Sequence, residues 1–250
     1  MPLSTYRALR VSSVFRQGGS APVLVETAAG RFVTKLRGAA QGVPPLIAEI
    51  AVAELALALG LPVPERALIE FDAEVPSIDR NDELADLLAR SAGANLGFRY
   101  LPGATDLRLD QIAMIDAELA ALTVWLDGFT LNFDRSRGSP NIMLWNGGPW
   151  LIDHGACLSF HYDWAAVQED TPREVGPPSA DHLLYERAGS IGRADVTATA
   201  TLSRAVLRAA LGCVPDSFLQ AAFPGDDPAR LREAYVAFLW KRLRAPRPFI

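Results

Sequence analysis

Three side chains in the middle of the chain have the types and spacing for phosphoryl-transfer chemistry. Asp134, Asn141 and Asp153 lie along a predicted helix, loop and hairpin. In such chemistry one carboxylate orients the attacking hydroxyl, while an amide oxygen and a second carboxylate hold Mg²⁺ on the phosphates. A hairpin returns its two strand ends to one place, and here Asn141 opens the first strand and Asp153 closes the second. We therefore expect both side chains to face one metal ion.

The elements that must position these side chains can be predicted from local patterns. Asn146-Gly147-Gly148 between the apolar runs 141–145 and 150–153 predicts the hairpin. A helix is expected over residues 109–130 and a polar loop over 132–140. The apolar face of that helix consists of Ile112, Ile115, Leu119, Leu122 and Leu126.

The chain before residue 102 favours strands around one helix. Residues 23–25 and 31–35 flank a short turn and predict a hairpin. Further strands are expected over 9–15, 67–71 and 98–101, and a loop leads into a short helix over 77–86. The helix near residues 46–59 ends at Gly60 and Pro62, and its predicted apolar stripe is Leu46, Ile50, Ala53 and Leu57.

The second half of the chain favours helices, with helical spacing near 202–211 and 228–243. Strands and helices therefore segregate, which is typical of an α+β protein in two lobes, with a boundary near Pro102. We expect four aromatic residues to lie in the core: Trp125, Phe129, Phe133 and Trp145. The basic residues Lys241, Arg242, Arg244 and Arg247 are expected to form a solvated helix end.

Several segments resemble the motifs of atypical kinases, the phosphoinositide-kinase-like and HipA-like groups. Asp134-Arg135, then 141–144 (Asn-Ile-Met-Leu), then 152–155 (Ile-Asp-His-Gly) resemble their catalytic loop and metal-binding Asp. Asp127, five residues before Asn132, fits the D-x4-N-x-D-R pattern of the HipA-like kinases.

Motifs nearer the start of the chain favour the HipA-like group. Gly18-Gly19-Ser20 resembles a glycine loop, and residues 30–35 resemble the strand that carries the ATP-phosphate lysine. Residues 46–64 resemble the helix whose glutamate pairs with that lysine. The resemblance covers residues 10 to 160 in register, and the last third matches only as a helical lobe.

The resemblance implies a bilobal protein-kinase-like fold with ATP and Mg²⁺ between the lobes. The N-lobe would be residues 1–102, β-rich with one helix, and the helical C-lobe would be residues 103–250. Lys35 would bind the α- and β-phosphates and Glu49 would pair with it, Glu54 being the rival partner. Asp134 would accept the proton of the hydroxyl. Asn141 and Asp153 would ligate Mg²⁺; Gly18, Gly19 and Ser20 would cover the phosphates; Arg99, Tyr100 and Leu101 would form the hinge over adenine.

One spacing departs from the family pattern. The catalytic Asp and the metal-binding Asn are five residues apart in the family, and here they are 141 − 134 = 7 apart. A longer loop can bulge and keep both ends in place, or it can misplace Asp134. The implied function is that of an ATP-dependent HipA-like serine/threonine kinase. The alternatives are a nucleotide-binding pseudokinase with a regulatory role and a small-molecule kinase.

Other interpretations of single residues stay open at this point. His154, Cys157 and His161 are spaced like zinc ligands but have no obvious fourth partner. A Cys157 nucleophile with a histidine base has no recognisable oxyanion hole nearby. Taken singly, each predicted site residue also has an ordinary structural explanation, for example a surface lysine or a turn-capping asparagine.

Composition limits the remaining possibilities. The chain has 250 residues, half of them hydrophobic, and a formal charge of 24 − 29 = −5, which is typical of a globular protein and disfavours a nucleic-acid binder. The two cysteines, Cys157 and Cys213, form no recognisable motif, and the chain shows no secretory pattern. These features predict a cytoplasmic location without membrane insertion. An antitoxin-like partner is known in the family, but neither it nor the phosphate acceptor can be predicted from this sequence.

Overall fold

The computed structural model describes residues 2–15, 21–79, 81–174, 181–247 and 249. The first part of the chain forms a curled six-stranded sheet. Its strands are β1 (Thr5–Arg7), β2 (Arg10–Val14), β3 (Val23–Thr27), β4 (Gly30–Lys35), β5 (Arg66–Phe71) and β6 (Gly93–Arg99). They lie in the order β1-β5-β6-β4-β3-β2, so that β4, which carries Lys35, is a central strand between β3 and β6.

Two helices accompany this sheet, and the rest of the chain is mainly helical. The helices are α1 (Pro44–Ala58), α2 (Asp82–Arg90), α3 (Ala117–Thr130), α4 (Ile191–Thr201), α5 (Arg204–Gly212), α6 (Asp216–Ala222) and α7 (Pro228–Leu243). A small three-stranded sheet contains β7 (Thr105–Asp106), β8 (Ile142–Trp145) and β9 (Gly148–Leu151). Short 3-10 turns cover Leu109–Met114, Ser159–Tyr162, Trp164–Ala166 and Thr171–Arg173. The mixed α+β class predicted from the sequence is confirmed.

Both predicted hairpins are present, and their turns explain them. In the first, Thr27 pairs with Gly30, whose φ of 110° suits glycine. In the second, Asn146 and Gly147 have φ of 49° and 79° between β8 and β9. Two consecutive positive φ values make the type I′ turn, which matches the twist of the strands it joins.

The predicted helix over 109–130 is interrupted, which corrects the sequence analysis. Residues Leu109–Met114 form a 3-10 turn, Ile115 is extended, and α3 begins after Asp116. The Asp116 carboxylate accepts the backbone N–H groups of Glu118 and Leu119, each at 2.9 Å. This N-cap is the physical reason for the restart, because an aspartate that caps a new helix competes with continuing the old one.

Helix α1 is buried on nearly every face rather than on one stripe. Eleven of its fifteen residues are buried, and they share a core with Leu96 of β6 and with residues of α5 and α6. The prediction that Leu57 belongs to the stripe was wrong, since Leu57 is 47% exposed. A single amphipathic stripe describes a helix packed on one side, and α1 is packed on several.

Two further expectations about burial were wrong. Trp125 and Phe129 are buried and stacked on each other, but Trp145 is only partly buried and Phe133 is 58% exposed. Arg242 is fully buried instead of solvated. Its guanidinium donates to the carbonyls of Gly128 and Phe129 at 2.8 and 2.9 Å, and so satisfies the end of α3, while burial lowers its pKa to about 10.

His161 gives the stability of this core a dependence on pH. Its ring is 2% exposed with Nδ1 3.0 Å from the Tyr235 hydroxyl, and burial lowers its pKa from 6.5 to about 4. Between these pH values the unfolded chain binds the extra proton, so the free energy of unfolding decreases as the pH falls from about 6.5 to 4.

Replacing His161 by Asn removes that titration. Between about pH 7 and pH 4, we expect the free energy of unfolding of the variant to decrease by about 3 kcal/mol less than that of the wild type. Chemical denaturation of both proteins across this range measures the difference, and parallel curves would show that His161 does not contribute.

No helix in the described ranges is both long and apolar enough to cross a membrane.

Candidate active site

The structure brings Lys35, Glu49 and Asp153 into contact from three distant parts of the chain. Lys35 at the end of β4 donates from Nζ to Glu49 Oε1 on α1 and, at 2.6 Å, to Asp153 Oδ1 after β9. Glu49 is fully buried, whereas the Asp153 side chain is 42% exposed. The rival Glu54 instead pairs with Arg66 of β5. The predicted Lys35–Glu49 contact is therefore present, and Asp153 joins it at the solvent side.

Charge in this cluster is unbalanced toward the negative. Burial alone would lower the pKa of Lys35, but the two carboxylates raise it above its usual range. Burial of Glu49 raises the pKa of that carboxyl, against the attraction of Lys35. Burial also opposes ionisation of Asp153, but the Lys35 ammonium outweighs it and lowers the pKa of Asp153. One ammonium thus faces two carboxylates, an arrangement that favours an additional cation.

His154 and Gly155 connect the Asp153 segment to α1. The backbone N–H of His154 donates to Glu49 Oε2 at 2.9 Å. A Cβ at Gly155 would lie 3.3 Å from Pro45 Cβ and 3.5 Å from Glu49 Oε1, so the absence of a side chain permits this approach. Burial, together with the nearby Arg135, lowers the pKa of His154 to about 3, which makes it a neutral acceptor 3.4 Å from Arg135.

The longer loop between Asp134 and Asn141 keeps the two residues in contact. Asn141 Nδ2 donates to the Asp134 carbonyl at 2.6 Å and to Asp134 Oδ2 at 3.1 Å. Ser136 and Ser139 close the extra residues into a turn, with Ser136 N–H donating to the Ser139 carbonyl at 3.0 Å. Ser139 Oγ then donates to Asn141 Oδ1 at 3.3 Å. The loop bulges, and its ends meet.

Asn141 and Asp153 both leave the β8–β9 ladder in the left-handed conformation. Their φ values are 49° and 55°, and the Asn141 carbonyl still accepts the Ile152 N–H at 3.1 Å. A positive φ costs energy for residues other than glycine, and such positions cluster at functional sites. The sequence predicts strands over 141–145 and 150–153, with Asn141 opening the first and Asp153 closing the second. The observed strands are 142–145 and 148–151, so both residues lie just outside the same end of the hairpin.

Asp127 forms buried hydrogen bonds with the loop that contains Asp134 and Arg135. It is 1% exposed and accepts hydrogen bonds from Asn132 Nδ2 at 2.7 Å and from Arg135 Nε at 2.6 Å. Burial opposes ionisation, but Arg135 and His182 outweigh it and hold its pKa well below the usual range. His182 Nε2 lies 2.8 Å from the same carboxylate. The sequence pattern included Asp127 but gave no signal for His182, which comes from a distant segment.

The segment predicted as a hinge lies at the end of β6. Arg99 forms an ion pair with Glu65 at 2.9 Å, and its guanidinium lies over the Phe32 ring. The guanidinium of Arg31 lies over the ring of Tyr100. The backbone N–H groups of Arg99 and Tyr100 donate to carbonyls within the protein. The predicted glycine loop, Gly18, Gly19 and Ser20, lies outside the described residues.

A cavity of about 180 Å³ opens between these elements. It is lined by Lys35, Pro45, Asp134, Asp153, Gly155 and Tyr162, among others. It therefore joins the predicted phosphate lysine, the predicted catalytic carboxylate and one predicted metal ligand in a single cleft.

Comparison with protein-family models identifies the family of this chain. The model of the HipA-like kinase matches residues 9–224. The chain belongs to the HipA-like kinase family. A search of curated proteins found no match.

This member of the HipA-like kinase family is also similar in fold to a solved kinase. The crystal structure of the Helicobacter pylori proinflammatory kinase CtkA matches with a TM-score of 0.51 and 11% sequence identity. The match covers 97% of this chain and 94% of that chain, so the likeness extends over the whole fold.

The donor set of this candidate site suits a hard divalent cation. Asn141 and Asp153 offer amide and carboxylate oxygens, which Mg²⁺ prefers, beside a carboxylate excess. By contrast, no group of three His, Cys, Asp or Glu side chains that could hold a metal occurs within the described ranges. His154 and His161 have separate partners, Arg135 and Tyr235, and burial raises the pKa of the Cys157 thiol, which is unfavourable for a thiolate.

Proposed function

We propose that this protein transfers the γ-phosphoryl group of ATP to a serine or threonine hydroxyl, with Mg²⁺ as the required cation. The observation that carries the proposal is the meeting of Lys35, Glu49 and Asp153 beside Asp134 in one cleft. Glu49 and Asp153, the two residues that Lys35 contacts, are 14 and 118 positions away from it in the sequence. Such a convergence around one exposed cavity favours a functional site over separate structural ion pairs.

Each residue of the cleft has a proposed role. Lys35 binds the α- and β-phosphates, and Glu49 holds its ammonium in place. Asp134 accepts the hydrogen bond of the acceptor hydroxyl and takes its proton as the new bond forms. Asn141 and Asp153 hold Mg²⁺, which neutralises charge on the phosphates when bound. Most of the catalysis is then positioning and electrostatics.

The adenine would lie against the hinge Arg99–Leu101. Within the described residues, the backbone N–H groups of Arg99 and Tyr100 already donate to Glu65 and Arg31, at 2.7 and 3.0 Å. The N–H of Leu101 has no such acceptor among them and is the donor we assign to the purine edge. We propose the division into an N-lobe of residues 1–102 and a C-lobe of residues 103–250 around this cleft, with Gly18, Gly19 and Ser20 over the phosphates.

A nucleotide-binding module without turnover is the second candidate. The separation of seven residues between Asp134 and Asn141 favours it, whereas the 3.1 Å contact between their side chains favours an active site. A kinase acting on a small molecule would use the same cleft and differ only in its acceptor.

One experiment separates these candidates. The wild type and Asp153→Ala are incubated with labelled ATP and Mg²⁺, and autophosphorylation, ATP hydrolysis and nucleotide binding are measured together. We expect Mg²⁺-dependent turnover in the wild type and none in Asp153→Ala. Binding of ATP without turnover in the wild type would support the module, and absence of ATP binding would contradict both.

A further inference from the structure

His182 contacts the loop around Asp134 from the segment 181–184, of which no described residue lines the proposed ATP cleft. Its Nε2 lies 2.8 Å from Asp127 Oδ2, across 55 residues of sequence. The side chain is 8% exposed. The backbone N–H of Leu184 donates to His182 Nδ1 at 3.1 Å, so Nδ1 is an acceptor and the ring proton is on Nε2. His182 is therefore fixed as a donor to Asp127.

The next residues strengthen this contact. The backbone N–H of Leu183 donates to the carbonyl of Arg135 at 3.0 Å. Residues 182–184 thus hold both partners of the buried Asp127–Arg135 pair, one through a side chain and the other through the backbone.

The Asp127–Arg135 pair in turn holds the predicted catalytic groups. Asn132, bound to Asp127 through Nδ2, uses its Oδ1 to accept the backbone N–H of Asp134 at 3.0 Å. Arg135 donates from one guanidinium nitrogen to the carbonyls of Asn141 and Ile152, the latter at 3.5 Å. The Asp127 carboxylate is therefore linked by two short paths to Asp134 and to the residues that flank the proposed Mg²⁺ site.

His182 lines a cavity other than the ATP cleft. This second cavity, of about 200 Å³, is bounded by His182, Asp127, Asn132, Phe133 and Arg135, among others. The cleft that contains Lys35 and Asp153 does not include His182. The side-chain contact that connects His182 to the residues of that cleft is the one with Asp127.

We propose that His182 is a positioning residue for phosphoryl transfer, which holds Asp127 and thereby the backbone of Asp134. This inference rests on the proposed function. His182 acts on Asp134 through Asp127 and Asn132. Loss of an outer hydrogen bond that positions reacting groups changes activity by about 10- to 100-fold in comparable arrangements, because small displacements of the reacting groups are costly. We expect His182→Ala to lower kcat by about that factor. The Kd for Mg²⁺ and a non-hydrolysable ATP analogue should stay within about twofold, because the backbone of Leu183 still holds Arg135 and with it the contacts to the carbonyls of Asn141 and Ile152.

Two conservative variants test the geometry. The side-chain amide nitrogen of Gln reaches about as far as Nε2, whereas that of Asn reaches only the position of Nδ1. His182→Gln should therefore restore most of kcat, and His182→Asn should not. Unchanged kcat in His182→Ala, equal rescue by both amides, or a matching loss of analogue affinity would each overturn the proposal.

A control and a second readout separate this inference from the proposed function. His161→Asn alters another buried histidine that does not touch Asp127, and we expect its kcat to equal that of the wild type. Amide hydrogen exchange should show faster exchange over residues 132–141 in His182→Ala, with α1 unchanged. If the wild type itself lacks turnover, the proposed function fails, while unchanged exchange over 132–141 would still reject the role of His182.

Discussion

Asp134→Asn should lower kcat for phosphoryl transfer by about 100- to 10,000-fold, the usual contribution of a positioned general base. The Asp134 carboxylate lines the same cavity as Lys35 and Asp153. An asparagine has nearly the same shape, and its carbonyl oxygen can still accept from Asn141 Nδ2, which now lies 3.1 Å from Asp134 Oδ2. The substitution therefore removes the basic oxygen without removing the contact that shapes the loop.

Affinity for nucleotide distinguishes this result from damage to the fold. We expect the Kd for Mg²⁺ and ATP to be nearly unchanged in Asp134→Asn, because the proposed phosphate and metal contacts belong to Lys35, Asn141 and Asp153. Asp226→Asn, an exposed aspartate in the loop before α7, is the matched control and should have wild-type kcat. Normal turnover in Asp134→Asn would remove the proposed base.

Lys35→Met should have the largest combined effect on stability and nucleotide binding. Glu49 is fully buried and is neutralised by Lys35, so the substitution leaves an unpaired carboxylate beside Asp153. Breaking a buried pair by removing one partner costs about 3–5 kcal/mol. The loss should also abolish measurable binding of Mg²⁺ and ATP at concentrations that saturate the wild type.

The variant should depend on pH in a direction that identifies Glu49 as the cause. Burial already raises the pKa of Glu49 in the wild type, and removing the Lys35 ammonium raises it further. The folded variant then holds a proton that the unfolded chain releases, so its free energy of unfolding decreases as the pH rises above the unfolded value of about 4.3. Urea unfolding at about pH 5 and pH 8 measures this difference.

The double variant Lys35→Met with Glu49→Gln separates stability from function. It removes the unpaired charge, so we expect its free energy of unfolding to return toward that of the wild type and to lose the pH dependence. Turnover should stay absent, because the phosphate-binding ammonium is still missing. Turnover in a stable double variant would show that Lys35 has no role in the reaction.

Local patterns were sufficient for the parts of the fold that depend on neighbouring residues. Asn146-Gly147 and Thr27–Gly30 predicted their hairpins because turn type is decided within a few residues. The helix Pro228–Leu243 was predicted with its observed bounds because helical spacing is also a local pattern. The interruption at Asp116 was missed, since an apolar period continues across a capping residue that restarts the helix.

Only the residues of the candidate site that belong to recognisable motifs could be predicted from the sequence. Lys35, Glu49, Asp134, Asn141 and Asp153 were all identified from motifs in sequence order, and the family was confirmed. The partners that hold them in place depend on long-range folding. His182 and Arg242 stand in ordinary sequence contexts, and their burial follows from which segments pack against α3 and the catalytic loop. No local pattern carries that information.

The burial of most of α1 affects how the proposed activity could be switched. Swinging this helix outward to separate Glu49 from Lys35 would bring Ile47, Ile50 and Leu55, each without exposed surface, into water. At about 25 cal/mol per Å², full exposure of each such side chain costs about 1.5–3 kcal/mol. We therefore expect the ion pair to be permanently assembled, so that control of the proposed reaction acts on access of the acceptor or on the loop between Asp134 and Asn141.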